Sequence, residues 1–162
     1  HAVLPYMIER KKGKIINFSG GGAVQPFVNF SAYAVSKAAV VRFTENLAKE
    51  YEKNNIQINA VSPGLINTKM LDDAIRASAK NVGKEYYQRI VRVKKQGGDD
   101  PTIAAQLITW LAKESNQLTG KLIAAQWDDW QEFSSSKIKK INKNSLYTLR
   151  RIDNKNFGEV NK

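Results

Sequence analysis

Short apolar segments alternate along the chain with longer segments of helical periodicity. Three of the short segments adjoin turn residues and predict β-strands. They are residues 15–19 and 56–61, which end at turns, and residues 121–125, which begin after one. Helical patterns fill the intervals over residues 32–53 and 69–96, and an acidic residue before Pro101 predicts the start of a further helix. Strands that alternate with helices form parallel sheets. The predicted fold class is therefore α/β, a partial doubly wound (Rossmann-like) parallel sheet with flanking helices.

The first long helical pattern also predicts which side of the helix is buried. Val40, Phe43, Leu47 and Tyr51 recur at three- and four-residue spacing. Side chains at this spacing lie on one side of a helix. We expect these four residues to face the core.

The amino-acid composition argues against several classes of protein and of functional site. The 162 residues are 42% hydrophobic and 25% charged, as in an ordinary soluble protein, and no run of about 18 apolar residues could span a membrane. The chain has no cysteine and one histidine, which argues against disulfides, Cys- or His-based metal sites and a Ser-His-Asp triad. We expect a cytoplasmic protein with neither a metal site nor a membrane partner.

The positive charge is concentrated toward the end of the chain. Lys and Arg number 26 against 15 Asp and Glu, a net charge of +11. Residues 1–130 carry 18 basic and 12 acidic side chains, or +6, and residues 131–162 carry 8 and 3, or +5. We divide the chain accordingly into a main domain, 1–130, and a basic C-terminal extension, 131–162. Basic tails can bind nucleic acid, but few aromatics accompany this one, so we expect it to pack on a partner subunit or to be mobile.

Tyr33 and Lys37 are the strongest candidates for chemistry. They stand four residues apart near the predicted start of a helix, which places them on one face. A phenol has a pKa near 10, and a nearby ammonium and the helix N-terminus both favour the phenolate. The pair could therefore exchange a proton with an alcohol or carbonyl oxygen. Taken alone, the spacing also suits an ordinary surface pair.

Several segments in the same order resemble the short-chain dehydrogenase/reductase family. They are Gly13-Lys14-Ile15-Ile16-Asn17-Phe18-Ser19, Tyr33 through Ala39, Phe43 through Tyr51, Ile58 through Thr68, and Pro101 through Leu111 with Leu118-Thr119-Gly120-Lys121. The resemblance implies an NAD(P)-dependent oxidoreductase of small-molecule alcohols and carbonyls, with NAD or NADP as cofactor, and a homo-oligomer in the full-length protein.

The resemblance also implies roles for individual residues. Tyr33 would exchange the proton with the substrate oxygen, and Lys37 would lower its pKa and hold the nicotinamide ribose. The residues expected to line the nicotinamide are Pro63, Gly64, Ile66 and Thr68. Hydride transfer itself belongs to the cofactor.

Two departures from the family pattern leave alternatives open. The Gly-rich dinucleotide turn is absent, so we interpret the sequence as a C-terminal fragment that is inactive alone. The family's catalytic Ser stands thirteen residues before the Tyr, where this chain has Gly20. Ser19 could serve as the catalytic hydroxyl, or it could be structural. A catalytically weak member with a binding or scaffold role is therefore an alternative function, and a nucleic-acid-binding protein is a more remote one.

The basic residues in the region before Pro101 have two possible interpretations. They are Lys69, Arg76, Lys80, Lys84, Arg89 and Arg92. They could recognise an anionic or sugar-like substrate, or they could form a solvated helical face. We favour the solvated face.

Overall fold

The architecture is known from a computed structural model that describes residues 2–152. Its helices are α1 (Leu4–Arg10), α2 (Ser31–Glu50), α3 (Lys69–Arg76), α4 (Ser78–Val82), α5 (Lys84–Gln96), α6 (Pro101–Ala112) and α7 (Ser135–Lys143). Its strands are β1 (Gly13–Phe18), β2 (Ile56–Ser62) and β3 (Leu122–Ala124). The alternation predicted from the sequence is confirmed. No helix in the described range is long and apolar enough to span a bilayer.

The three strands form one parallel sheet in the order β1-β2-β3, with Ile15 beside Ile58 and Val61 beside Ile123. Every residue of the central strand β2 is buried. Ile58 packs in a cluster with Ala48 of α2, whereas Val61 packs with residues of α6. The two helices therefore cover opposite faces of the sheet, as in parallel sheets generally.

The buried side of α2 differs from the prediction. Val41, Thr44 and Ala48 are buried, whereas Phe43 is 58% exposed. The buried Thr44 hydroxyl is hydrogen-bonded within the protein: it donates to the Val40 carbonyl at 2.8 Å and accepts from the Asn17 side-chain amide at 2.9 Å. Small side chains and an internally paired hydroxyl thus lie closest to the sheet. Of the predicted residues, Leu47 and Tyr51 pack partly buried against the core, whereas Phe43 faces outward.

Residues 69–96, predicted as helical, fold into three helices. Backbone with positive φ separates them, at Ser78 (69°) and at Gly83 (89°). Leu71 and Ile90 are fully buried in the cluster that joins the helices. The basic side chains named above are all exposed, which agrees with a solvated face.

Residues 131–152 of the C-terminal extension pack on the rest of the chain, which corrects the expectation of a mobile tail; packing on a partner subunit stays a prediction. Phe133, Ile138 and Ile141 of the extension are buried in the same cluster as Leu107 of α6, together with Trp130, which directly precedes the extension. The reason is that these apolar side chains form a stripe of their own, which is hard to recognise in the sequence because many basic residues surround it. Residues 153–162 of the predicted extension lie outside the described residues.

The extension also closes the outer edge of β3. The Leu122 N–H donates to the Tyr147 carbonyl at 2.8 Å, and the Ala124 N–H donates to the Asp128 carboxylate at 2.7 Å. The side chain of Lys121, only 3% exposed, donates to two carbonyls of the extension, those of Asn144 and Leu146. Unpaired strand edges favour association with other chains, and this edge is satisfied internally.

Candidate active site

The residues predicted to act in catalysis meet at one edge of the sheet. The carboxyl ends of the parallel strands β1 and β2 lie side by side, with Phe18 next to Val61. Helix α2 begins beyond β1 and carries Tyr33 in its first turn and Lys37 in its second. Ligands of open α/β sheets bind at this edge, outside the carboxyl ends of the strands.

Lys37 lies close to both Tyr33 and the end of β1. Its Nζ is 5.7 Å from the centre of the Tyr33 ring and donates to the Phe18 carbonyl at 3.3 Å. The four-residue spacing therefore does place the ammonium beside the phenol. Within residues 2–152, the Tyr33 hydroxyl has no hydrogen-bond partner, so it remains available to a ligand.

The pKa of Tyr33 shifts in the direction opposite to the one expected. Burial raises it above its ordinary value, although Lys37 is nearby. Aromatic side chains surround the phenol: Phe27 packs edge-on to Tyr33 with ring centres 6.0 Å apart, and Tyr86 packs edge-on to Phe27 at 4.9 Å. Removal of water from around a phenolate disfavours its charged form. The hydroxyl is accordingly protonated at neutral pH.

Ser19 is buried against the backbone of Lys37. It is 4% exposed, its N–H donates to the Val61 carbonyl at 2.8 Å, and its hydroxyl donates to the Lys37 carbonyl at 3.2 Å. This geometry ties the end of β1 to the helix that carries Lys37. It favours the structural interpretation of Ser19 over direct contact with a substrate.

Gly20 lies directly against Tyr33. A Cβ added at Gly20 would stand 2.5 Å from the Tyr33 hydroxyl oxygen. The backbone there is extended, with φ −178°, so glycine is not needed for its conformation. The phenol therefore occupies the space that a side chain at position 20 would take.

The loop after β2 carries the predicted nicotinamide contacts. Gly64 has φ +101°, a conformation that favours glycine, and a Cβ there would be 2.5 Å from an Asp99 carboxylate oxygen. The side chain of Ile66 is half-buried and packs on the core. Thr68 is the N-cap residue of α3, yet its hydroxyl caps no helix N–H. N-cap threonines usually make that bond, so this hydroxyl is free for another partner.

Sequence reasoning missed three residues that shape this site. Asp99 and Gln126 contact the loop after β2, and Tyr86 joins the aromatic group near Tyr33. Asp99 directly precedes Asp100, whose side chain caps α6 at Thr102, and the sequence drew attention only to that helix start. Nothing local in the sequence pairs Asp99 with Leu65, 34 residues away. Across residues 2–152, no group of three His, Cys, Asp or Glu side chains could hold a metal ion.

Curated proteins are similar in sequence to about three quarters of this chain. Dehydrogenase/reductase SDR family member 4 of Sus scrofa is 34% identical over 123 residues, which cover 75% of this chain and 42% of the relative. The 7alpha-hydroxysteroid dehydrogenase of Clostridium sardiniense is 33% identical over 124 residues, covering 75% and 44%. The chain thus spans less than half the length of these relatives.

Solved structures have the same fold over a similar extent. A levodione reductase matches with a TM-score of 0.60 and 32% identity, over 75% of this chain and 48% of that one. A xylitol dehydrogenase bound to NAD⁺ matches with a TM-score of 0.63 and 27% identity, over 76% and 51%. A family profile described as short chain dehydrogenase matches residues 1–93, more than half of the chain. Sequence motifs, sheet topology and these comparisons agree that the chain belongs to the short-chain dehydrogenase family.

Proposed function

We propose that this chain supplies the catalytic portion of an NAD- or NADP-dependent oxidoreductase that interconverts a small-molecule alcohol and a carbonyl compound. One observation carries the proposal: Tyr33, Lys37 and the loop after β2 converge at the carboxyl ends of β1 and β2. Membership of the family and the NAD⁺ complex of a xylitol dehydrogenase with the same fold support it.

The residues present fit a nicotinamide cofactor. Lys37 offers an ammonium for ribose hydroxyls, and Thr68 offers an uncommitted hydroxyl for the carboxamide beside the Ile66 backbone. Pro63 and Gly64 are the first two residues of this loop, directly after β2. When bound, the nicotinamide supplies the hydride. The chain's own residues bind, orient and transfer the proton.

The protonation state of Tyr33 favours carbonyl reduction. Because burial raises the pKa of Tyr33, the phenol holds its proton at neutral pH and can donate it to the oxygen of a substrate that accepts a hydride. Lys37, whose Nζ lies 5.7 Å from the ring centre, then stabilises the phenolate that results. In this proposal Lys37 acts mainly after the proton has left.

Ser19 has a supporting role in the proposal. Its hydroxyl donates to the carbonyl of Lys37 and so fixes the second turn of α2 against the end of β1. The hydroxyl hydrogen of Ser19 is used in this bond to the Lys37 carbonyl, and a catalytic role for Ser19 stays a prediction from the family resemblance.

The position of Gly20 favours one other candidate function, a family member that turns over slowly. A serine hydroxyl at position 20 would give the substrate oxygen a second donor, and loss of one such donor commonly costs about 10²- to 10³-fold in turnover. Here Tyr33 fills that space instead. A binding or scaffold role would follow if cofactor binds without measurable turnover.

We further propose that the native protein is a cytoplasmic homo-oligomer. Val35 and Phe43 stand eight residues apart on the outer side of α2 and are 68% and 58% exposed. Large contiguous apolar patches mark protein–protein interfaces, and in this proposal the two side chains belong to such a patch. Size-exclusion chromatography with light scattering tests this part of the proposal, and a monomer at all concentrations would contradict it.

The experiment that tests the function measures cofactor binding and oxidation by the native protein. Calorimetric titration with NADH and NADPH is followed by oxidation assays against a panel of ketones and aldehydes. We expect one cofactor to bind and at least one carbonyl compound to oxidise it. Absence of binding by both cofactors would contradict the proposal, and binding without oxidation of the cofactor would favour the scaffold alternative.

A further inference from the structure

The loop after β2 is held by residues that lie far from it in the sequence. Both backbone groups of Leu65 pair with Asp99: its N–H donates to the Asp99 carboxylate at 2.6 Å, and its carbonyl accepts from the Asp99 N–H at 3.0 Å. A hydrogen bond to a carboxylate is about twice as strong as one between neutral groups. This reciprocal pair fixes the middle of residues 63–67.

Two further contacts hold the ends of the same loop. The Gln126 amide donates to the Pro63 carbonyl at 3.4 Å and to the Asp100 carbonyl at 3.2 Å, which links the loop to the start of α6. At the other end, Lys94 donates to the Asn67 side chain at 2.8 Å. The loop is therefore attached to α5, to α6 and to the chain after β3.

The glycines at this contact leave no room for side chains. A Cβ at Gly64 would lie 2.5 Å from the Asp99 carboxylate and 2.7 Å from the Gln126 side chain. A Cβ at Gly98 would overlap the Leu65 carbonyl. The close approach of two backbone segments is thus built around the Asp99–Leu65 pair.

We propose that Asp99 is a positioning residue that holds the Leu65 backbone so that the Ile66 backbone and the Thr68 hydroxyl face the nicotinamide carboxamide. This inference rests on the proposed function. Asp99 touches neither cofactor nor substrate in this account. It acts through Leu65, and Gln126 restrains the same loop at Pro63.

The test compares Asp99→Ala with Asp99→Asn in the native protein. Alanine removes the acceptor, whereas asparagine keeps an oxygen that can accept from the Leu65 N–H. Asp100→Ala is the matched control, because it removes the neighbouring carboxylate and the cap of α6 but leaves the loop contact in place. Asp99→Ser, whose shorter side chain does not reach Leu65, replaces Asp99→Ala if the latter does not fold.

The first readout is amide hydrogen exchange at Leu65, which needs no cofactor. We expect Asp99→Ala to speed this exchange about tenfold or more, as loss of a bond to a charged group would, and the other two variants to leave it near the wild-type rate. Unchanged exchange in Asp99→Ala would overturn the proposal. This readout keeps its meaning even if the native protein binds no nicotinamide, an outcome that would contradict the proposed function instead.

The second readout separates positioning from a general structural role. Asp99→Ala should raise the KM for the cofactor about tenfold with little change in kcat, and Asp99→Asn should restore it. Asp100→Ala should lower stability without raising this KM. Faster exchange at Leu65 with an unchanged cofactor KM would also overturn the proposal, because the loop would then be fixed for some other purpose.

Discussion

Replacing Gly20 with alanine should impair catalysis through Tyr33. The backbone at Gly20 is extended, so alanine fits its conformation without strain. The added methyl group would lie 2.5 Å from the Tyr33 hydroxyl oxygen, whereas ordinary contact begins near 3.4 Å, so the hydroxyl must move by about 0.9 Å. A misplacement of about 1 Å can cost about 10²-fold in rate. We expect kcat to fall about 10- to 100-fold.

The assay follows oxidation of the reduced cofactor by the native protein, with circular dichroism as the check on folding. Cofactor affinity should change little, because Lys37 and the loop after β2 do not contact the new methyl group. Gly20→Ser is the matched variant, with the same Cβ and an added hydroxyl, and a kcat above that of Gly20→Ala would measure what the hydroxyl contributes. Wild-type kcat in Gly20→Ala would refute the inference that Tyr33 works from its position against Gly20.

Three further predictions concern the cofactor loop and the extension. Thr68→Val should weaken cofactor binding, measured by titration, without lowering the melting temperature, because the hydroxyl does not cap α3; a loss of stability would mean that it does. Burial lowers the pKa of Lys121 to about 8, so the folded chain loses this proton before the unfolded chain does. The free energy of unfolding should therefore rise by on the order of 1 kcal/mol between about pH 8 and pH 9.5, and denaturant titrations of wild type and Lys121→Met should differ in this slope. Truncation after residue 132 should expose the edge of β3 and produce aggregates in light scattering, whereas a monodisperse product would show that the extension is dispensable.

The sheet could be predicted because its signals are local. Each strand is a short apolar or alternating segment that adjoins turn residues, and parallel strands joined by helices leave few possible topologies. The same rules predict that the carboxyl ends of β1 and β2 lie side by side and that Tyr33 and Lys37 lie at this end of the sheet. The spacing of this pair is a property of one helix, so no tertiary information was needed.

Features that depend on distant segments could not be predicted. The outward orientation of Phe43 depends on how closely Ala48 and Thr44 approach the sheet. The raised pKa of Tyr33 depends on burial beside Phe27, with Tyr86 of α5 packed behind it. Both the orientation of Phe43 and the pKa of Tyr33 thus depend on contacts between segments that are distant in the sequence and become neighbours only in the folded chain.

The packing of the extension is hard to predict for a different reason. Its many lysines favour a tail that is mobile or packs on a partner subunit, but Ile138 and Ile141 stand three residues apart on one side of α7 and are buried. Basic side chains fill the opposite side of that helix. Periodicity within a charged segment is therefore a better guide to packing than its net charge.

The central claim is that the Tyr33 phenol donates the proton to the substrate oxygen. The most direct measurement is the turnover of Tyr33→Phe in the native protein, with Tyr6→Phe, an exposed tyrosine on α1, as the control. We predict that Tyr33→Phe binds the cofactor normally and loses at least about 10²-fold in kcat, while Tyr6→Phe matches the wild type. Turnover by Tyr33→Phe within a few-fold of the wild type would contradict the claim.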